Sequence, residues 1–188
     1  MKRGKDNITL GSGDLYALLF DKDTGIPELA DIEKTENILG FISGGANLEY
    51  KSEFYTSADD SNRVTKTILT KEEVVLKSGI LTWNGDTLKK LVSTARVSED
   101  KTTGIRTIKV GGIDNAIMDS YVIHFHYKDK KDGDLRVTIV GNNQAGFSLA
   151  FAKDKETVID TEFKAQPFDD EGTLIILREE IEKESEAV

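Results

Sequence analysis

The run Ser120–Gly141, SYVIHFHYKDKKDGDLRVTIVG, decides the fold class. Tyr121, Ile123, Phe125 and Tyr127 fall on one side of a period-two pattern, and Val122, His124 and His126 on the other. The alternation returns in Leu135, Val137 and Ile139, opposed by Arg136, Thr138 and Val140. Between the runs lies KDKKDGD, polar throughout and holding the Asp132-Gly133 pair suited to a turn with φ > 0. This is a β-hairpin. Ile123, Phe125, Val137 and Ile139 are its expected core face, and the histidine face is the one expected to tolerate substitution. A hairpin needs further strands over its apolar face to persist in water.

The flanking chain supplies them. Asp14–Asp21 reads as a buried strand, and Ile38–Tyr50 as a strand bent at Gly44-Gly45. Leu48–Tyr55 and Arg63–Leu69 read as strands around the polar loop Thr56–Asn62, followed by Lys71–Thr82 as a strand pair or one long bent strand. Ala95–Ser98, Ile105–Val110, Phe147–Ala152 and Thr157–Gln166 are further strands. Thr173–Leu177 suits one buried on both faces. Ile26–Asn37 contains Pro27 and many acids, and reads as a loop or edge. One helix stands out. Asn84 caps it, Asp86 complements its dipole, and Trp83 and Leu88 have staple spacing; it is expected to end near Ser93 or Thr94. Met1–Gly13 reads as an N-terminal arm with an apolar island at Ile8-Thr9-Leu10, and Arg178–Val188 as a charged C-terminal tail.

The 188 residues suffice for a single domain with a real core. There are no cysteines, so disulfides, thiolate metal sites and thiol nucleophiles are excluded, in keeping with a reducing cytoplasm. No secretory signal is expected from the charged N-terminus, and no apolar run approaches a membrane span. A net charge of −9 repels phosphate backbones, yet suits a channel through which nucleic acid slides without sticking.

Candidate chemistry is sparse. His124 and His126, at i and i+2 on a strand, could offer zinc two imidazoles, but no third ligand can be named; solvent-facing or hydrogen-bonded histidines are the simpler account. Asp129, Asp132 and Asp134 lack calcium-loop spacing and suit a solvated turn. Gly111-Gly112 and Gly141-Asn142-Asn143 precede no helix or Lys-Ser/Thr pair, so they are not phosphate loops. No serine has nucleophile context. The expectation is a protein that is not an enzyme, with no cofactor and no metal.

In their order along the chain, these features resemble the bacteriophage major tail proteins, the tail tube subunits of long-tailed phages and prophages. The residues that carry the resemblance are Leu15–Phe20, the run LGFISGGANLEY from Leu39 to Tyr50, the loop Thr56–Asn62, the strand Lys71–Leu76 and the helix from Asn84. The ending, TEFKA from Thr161 followed by DEGTL from Asp170, is similar to the family's "efka … dGtl". The resemblance spans nearly the whole chain. It implies a mainly β fold: a β-sandwich or split barrel of two packed antiparallel sheets, flanked by one short helix, with extended terminal arms. It further implies hexameric rings stacked into a tube, a conduit for genome ejection within the virion tail, assembled in the bacterial host cytoplasm. Implied partners are other copies of the chain and the tape measure, terminator and distal tail proteins. Double-stranded DNA would pass without specific binding, and no membrane is involved. By position, Ser57, Asp59, Asp60, Ser61, Asn62, Ile8 and Leu10 would make the contacts between rings or subunits. A contractile-tail or bacteriocin tube subunit would share this fold. The competing class is a carbohydrate-binding β-sandwich stacking sugars on Trp83 and the tyrosines.

Overall fold

The computed structural model describes residues 11–61 and 63–181. Its elements, in chain order, are β1 (Gly13–Leu19), α1 (Leu29–Ile32), β2 (Ile38–Gly40), β3 (Ile42–Ala58) and β4 (Thr65–Ile80), then α2 (Gly85–Leu91). They continue with β5 (Arg96–Asp100), β6 (Ile105–Lys109), β7 (Tyr121–Tyr127), β8 (Leu135–Asn143), β9 (Ile159–Ala165) and β10 (Ile176–Glu179). The fold is mainly β, with two antiparallel sheets and few helices, as expected. The large sheet runs β2-β1-β7-β8-β9-β4-β3, with β10 also on β8; β5 and β6 form the small one.

The hairpin of β7 and β8 sits at the centre in the expected register, from Tyr121 opposite Gly141 to Tyr127 opposite Leu135. The two outermost strands of the large sheet, β2 and β3, are one chain run separated only by Phe41. β2 pairs with β1, through Leu15 and Gly40, whereas β3 pairs with β4 from Ile42 onward. At the switch, the Leu81 N–H donates to the Phe41 carbonyl at 2.8 Å, and the Phe41 N–H donates to Thr82 Oγ1 at 2.8 Å. The sheet therefore closes on itself. Its halves pack face to face around one core: Leu15, Ile123, Phe125, Val137 and Ile139 meet Val74, Leu76, Ile80, Ile159 and Phe163.

A second corner lies in β8, whose start pairs with β10 and whose end, Gly141–Asn143, pairs with β9. Both corners bring backbones together where no side chain fits. A Cβ at Gly141 would strike the Lys164 carbonyl, and one at Gly40 the Thr82 carbonyl. The bend expected at Gly44-Gly45 is a bulge: pairing skips from Ser43 to Ala46, and both glycines have φ near +78°.

α2 seals one end, with Leu88 and Leu91 in the core and Trp83 packed against it. Asn84 Oδ1 accepts from the Asp86 and Thr87 N–H groups at 2.8 and 3.0 Å, and Thr87 Oγ1 accepts in return from the Asn84 N–H. The helix ends at Leu91, just short of the expected Ser93, because Val92 is already extended.

Several segments differ from expectation. Ile26–Asn37 forms α1 and a 3₁₀ turn over Thr35–Asn37. Phe147–Ala152 makes no strand: it pairs with none of the described strands, and Phe151 stands in solvent. The last strand begins three residues later than Thr173, at Ile176. It is an edge strand with Leu177 exposed rather than buried on both faces, because among the described strands only β8 pairs with it. Of the expected arms Met1–Gly13 and Arg178–Val188, residues 1–10 and 182–188 lie outside the described residues, whereas Gly13 already belongs to β1 and Arg178 and Glu179 to β10.

The core face of the hairpin sets the first prediction. Phe125→Ala should cost about 3–5 kcal/mol in urea unfolding, as for other buried Phe truncations, whereas Phe41→Ala, at an exposed position, should cost a small fraction of that. Equal costs would mean that the two faces were wrongly assigned.

Candidate functional site

The most conspicuous surface feature is the outer half of the β3–β4 hairpin. Up to Tyr50 opposite Val74, the pair covers the core; beyond Lys51 opposite Glu73 it leaves the body. Every residue from Lys51 to Ala58 and from Thr65 to Glu72 is exposed. Seven residues of strand at about 3.3 Å each extend this arm roughly 23 Å past the body. Lys71 Nζ and Glu53 Oε1 pair at 2.9 Å, Tyr50 donates to Glu72 at 2.7 Å, and Thr56 and Thr67 share a hydrogen bond at 2.9 Å.

Of the expected loop Thr56–Asn62, the first three residues, Thr56–Ala58, are strand, and Asp59–Ser61 form the turn. Ser57 lies within β3 opposite Lys66, and Ala58 lies opposite Thr65. The ladder of backbone hydrogen bonds overrides the loop-like polarity of these residues. The turn begins at Asp59, whose Oδ1 accepts from the Val64 N–H at 2.8 Å. That hydrogen bond is the main reason its carboxyl sits below the ordinary range. Asp60 and Ser61 are exposed at the tip. Asn62, Ile8 and Leu10 lie outside the described residues.

The arm carries large apolar side chains that meet nothing in their own chain's core. Phe54 is 62% exposed, Tyr55 60%, Ile68 47% and Leu69 45%. Nothing in the composition of Thr56–Asn62 signals this; the clue is Phe54-Tyr55 and Ile68-Leu69, which flank the turn Asp59–Val64 at matched distance.

His124 and His126 are not on a solvated face. They are buried, at 0% and 3% exposure. Residues 20–38 fold across the outer side of β1, β7 and β8, so that Ile32 and Ile38 cover Tyr16, Val122 and Val140. This lid brings Glu33 over the histidines. Glu33 Oε1 lies 3.3 Å from His124 Nε2 and 2.6 Å from Arg136 Nε; Glu33 Oε2 lies 3.1 Å from His126 Nδ1, without the alignment of a hydrogen bond. His126 Nε2 meets Asp134 Oδ2 at 2.8 Å, Arg136 reaches the same oxygen at 3.2 Å, and His124 Nδ1 meets Thr138 Oγ1 at 2.8 Å. Asp129 and Asp134 also hold the turn itself, by accepting from its N–H groups.

The electrostatics follow from burial and pairing. Burial drives the His124 pKa down to about 4, against the opposing pull of Glu33. Burial alone would raise Glu33, yet the Arg136 hydrogen bond and the nearby positive charges hold it below the carboxylate range. Asp134 is held low against its own burial, chiefly by His126. The network is a structural clamp between lid and hairpin. Among the described residues, no three His, Cys, Asp or Glu side chains are arranged to hold a metal ion. A cleft of about 300 Å³ lies beside α2, with Lys90 and Asn143 among its walls, and another of about 300 Å³ lies between Leu177, Leu48 and Leu76; neither is lined by the histidines. No helix among the described residues is long and apolar enough to cross a membrane.

No family model matches the chain, and no curated protein matches it either.

The clamp makes stability depend on pH. Unfolded, His124 takes up a proton near the ordinary value of about 6.5; folded, it resists until about pH 4. Its contribution is therefore complete above pH 6.5 and is lost as pH falls from there to about 4, by roughly 3 kcal/mol. Urea unfolding followed across this window should show the loss. His124→Gln should lower stability at pH 7 and flatten the slope; an unchanged slope would assign the titration to another group. This reverses the expectation, read from the strand pattern alone, that the histidine face tolerates substitution.

Proposed function

We propose that this chain is a structural subunit of a bacteriophage tail tube, polymerising as stacked hexameric rings. The observation that carries the reading is the β3–β4 arm: a rigidly rooted ribbon presenting Phe54, Tyr55, Ile68 and Leu69 to solvent. Such a ribbon stabilises nothing in its own chain and gains by burial in another. A closed β-module that projects an apolar arm makes a heterologous contact, with arm on one copy and receptor on the next, and contacts of this kind build rings or open stacks. The resemblance of LGFISGGANLEY and the TEFKA…DEGTL ending to major tail proteins supplies the identity of the stack.

The charge fits the same reading. A net charge of −9 per copy would make a bore that repels double-stranded DNA and lets it slide during ejection. The carbohydrate-binding alternative loses its platform, because Trp83 packs against the core and the exposed Tyr50 and Tyr55 lie along the arm rather than in a cleft. The chain's role in this reading is structural, within the virion tail, with no cofactor.

Purified protein should form rings or tubes in negative-stain micrographs as its concentration rises, with matching growth in sedimentation. Replacing residues 54–69 with a two-residue Asn-Gly turn should leave a folded monomer. A wild-type chain that stays monomeric at its highest soluble concentration would overturn the reading.

A further inference from the structure

Lys90 is a half-buried ammonium without a counter-ion. It stands in the last turn of α2, and its Nζ donates to the Ala17 carbonyl of β1 at 2.8 Å. β2 is three residues long and pairs with β1 only through Leu15 and Tyr16, so the edge at Ala17 is left to Lys90. One acceptor leaves two of the ammonium's three donors over. Among the described residues Lys90 makes no ion pair. Asp86, one turn earlier in α2, and Glu36 only border a smaller hollow that they share with it. Burial pulls the Lys90 pKa below the ordinary lysine value, against the weaker opposing pull of Asp86. A hydroxyl or an amide would satisfy the Ala17 carbonyl at a smaller desolvation cost, so capping alone does not account for a charge here.

The cleft of about 300 Å³ beside α2 opens against this lysine. Lys90 and Leu91 line one side, and Ile117 and Met118 another, the latter held by the Ile117 N–H donating to the Ser93 carbonyl at 2.9 Å. Ile117 and Met118 are 56% and 73% exposed. The Tyr121 hydroxyl and the Asn142 side chain, both from half-buried residues of the lining, make no hydrogen bond among the described residues. We infer that this cleft binds a small organic monoanion, a carboxylate with an apolar body, whose charge meets Lys90 and whose body covers Ile117 and Met118. A concave site with an apolar lining and a few convergent polar groups suits such a ligand. One uncompensated positive charge matches one negative charge. A phosphate dianion would bring an excess, and has no apolar body to set against Met118. Asp119, also in the lining, is exposed and bears on Tyr121 rather than on Lys90. The site lies on a different surface from the arm and does not depend on whether the chain polymerises.

The test titrates sodium benzoate, and uncharged benzamide of the same shape, into the full chain at physiological salt, with heat as the readout. Benzoate should bind, and benzamide should bind about tenfold more weakly or worse, the factor expected when a charge-assisted hydrogen bond is lost. Lys90→Met keeps the stem and removes the charge, and should weaken benzoate by a similar factor. Met118→Asp sets a carboxylate at the rim and should do the same. Lys89→Met, at an exposed lysine of the same lining, should leave binding close to wild type. Melting temperatures check folding; if Lys90→Met fails that check, Met118→Asp, at an exposed position, decides. The inference falls if benzoate does not bind at millimolar concentration, if benzamide binds as well as benzoate, or if the folded variants at positions 90 and 118 bind like wild type. It falls also if Lys89→Met weakens binding as much as Lys90→Met, which would mark diffuse surface charge.

Discussion

Everything outside the central hairpin depends on one backbone event, the change of partner at Phe41. A strand that left β1 without joining β4 would expose two long sheet edges, each a row of unpaired N–H and C=O groups. The switch removes them by handing the same run from one edge to the other. It requires backbones to meet at Gly40 and Thr82, where no Cβ fits. Once β3 is held there, it pairs with β4 from Ile42 opposite Ile80 to the tip, its register reset by bulges after Ser43 and after Glu53. The strands are longer than the core they cover, so the excess must leave the body as a ribbon. The arm is thus a consequence of closure, not an appended loop.

The same root explains the buried clamp. β2 begins at Ile38, directly after the lid that carries Glu33. The lid is fastened at two points, Ile32 in the outer cluster and Glu33 on Arg136 and the histidines, and is braced internally by Asn37 donating to the Asp31 carbonyl at 2.8 Å. A desolvated, imperfectly paired histidine contributes less than a well-packed apolar residue would. What the network adds is geometric: Arg136 of β8 and His124 of β7 both reach the same carboxylate oxygen of Glu33, which fixes where the lid lands. That position sets the entry of β2.

Local pattern was a good guide wherever a residue's fate depends on near neighbours. The β7–β8 hairpin, the Asn84 cap and the Gly44-Gly45 bulge are all visible in spacing and turn chemistry. It failed where a distant segment decides. His124 and His126 occupy the polar half of an alternation, and only a lid 90 residues earlier in the chain converts that half into interior. Ile26, Ile32 and Ile38, six apart, were the available sign of a covering segment, but the spacing names no target. Ser57 misled in the opposite direction. Its composition is that of a loop, and its state is set by Lys66 across the ladder. Phe147–Ala152 has strand propensity but no partner among the described strands, and pairing is what propensity cannot reveal.

In the proposed tube, the distribution of charge would link the monomer to its assembly: residues 51–72 hold four basic and four acidic side chains, so the body carries the whole −9. A chain with exposed Phe54, Tyr55, Ile68 and Leu69 would associate indiscriminately if its body were neutral, because apolar patches attract one another without regard to geometry. An acidic body opposes most such encounters. Approaches that bring two bodies together face like-charge repulsion, whereas those led by the neutral arm do not. The arm extends roughly 23 Å, more than twice a Debye length at physiological salt, which is about 8 Å. Its tip can therefore engage a second copy before the bodies feel each other strongly. Repulsion then selects the orientations in which the arm, and not the body, makes first contact. Length, neutrality and the exposed apolar side chains are separate properties of residues 51–72, and directed polymerisation into the proposed tube would require all three.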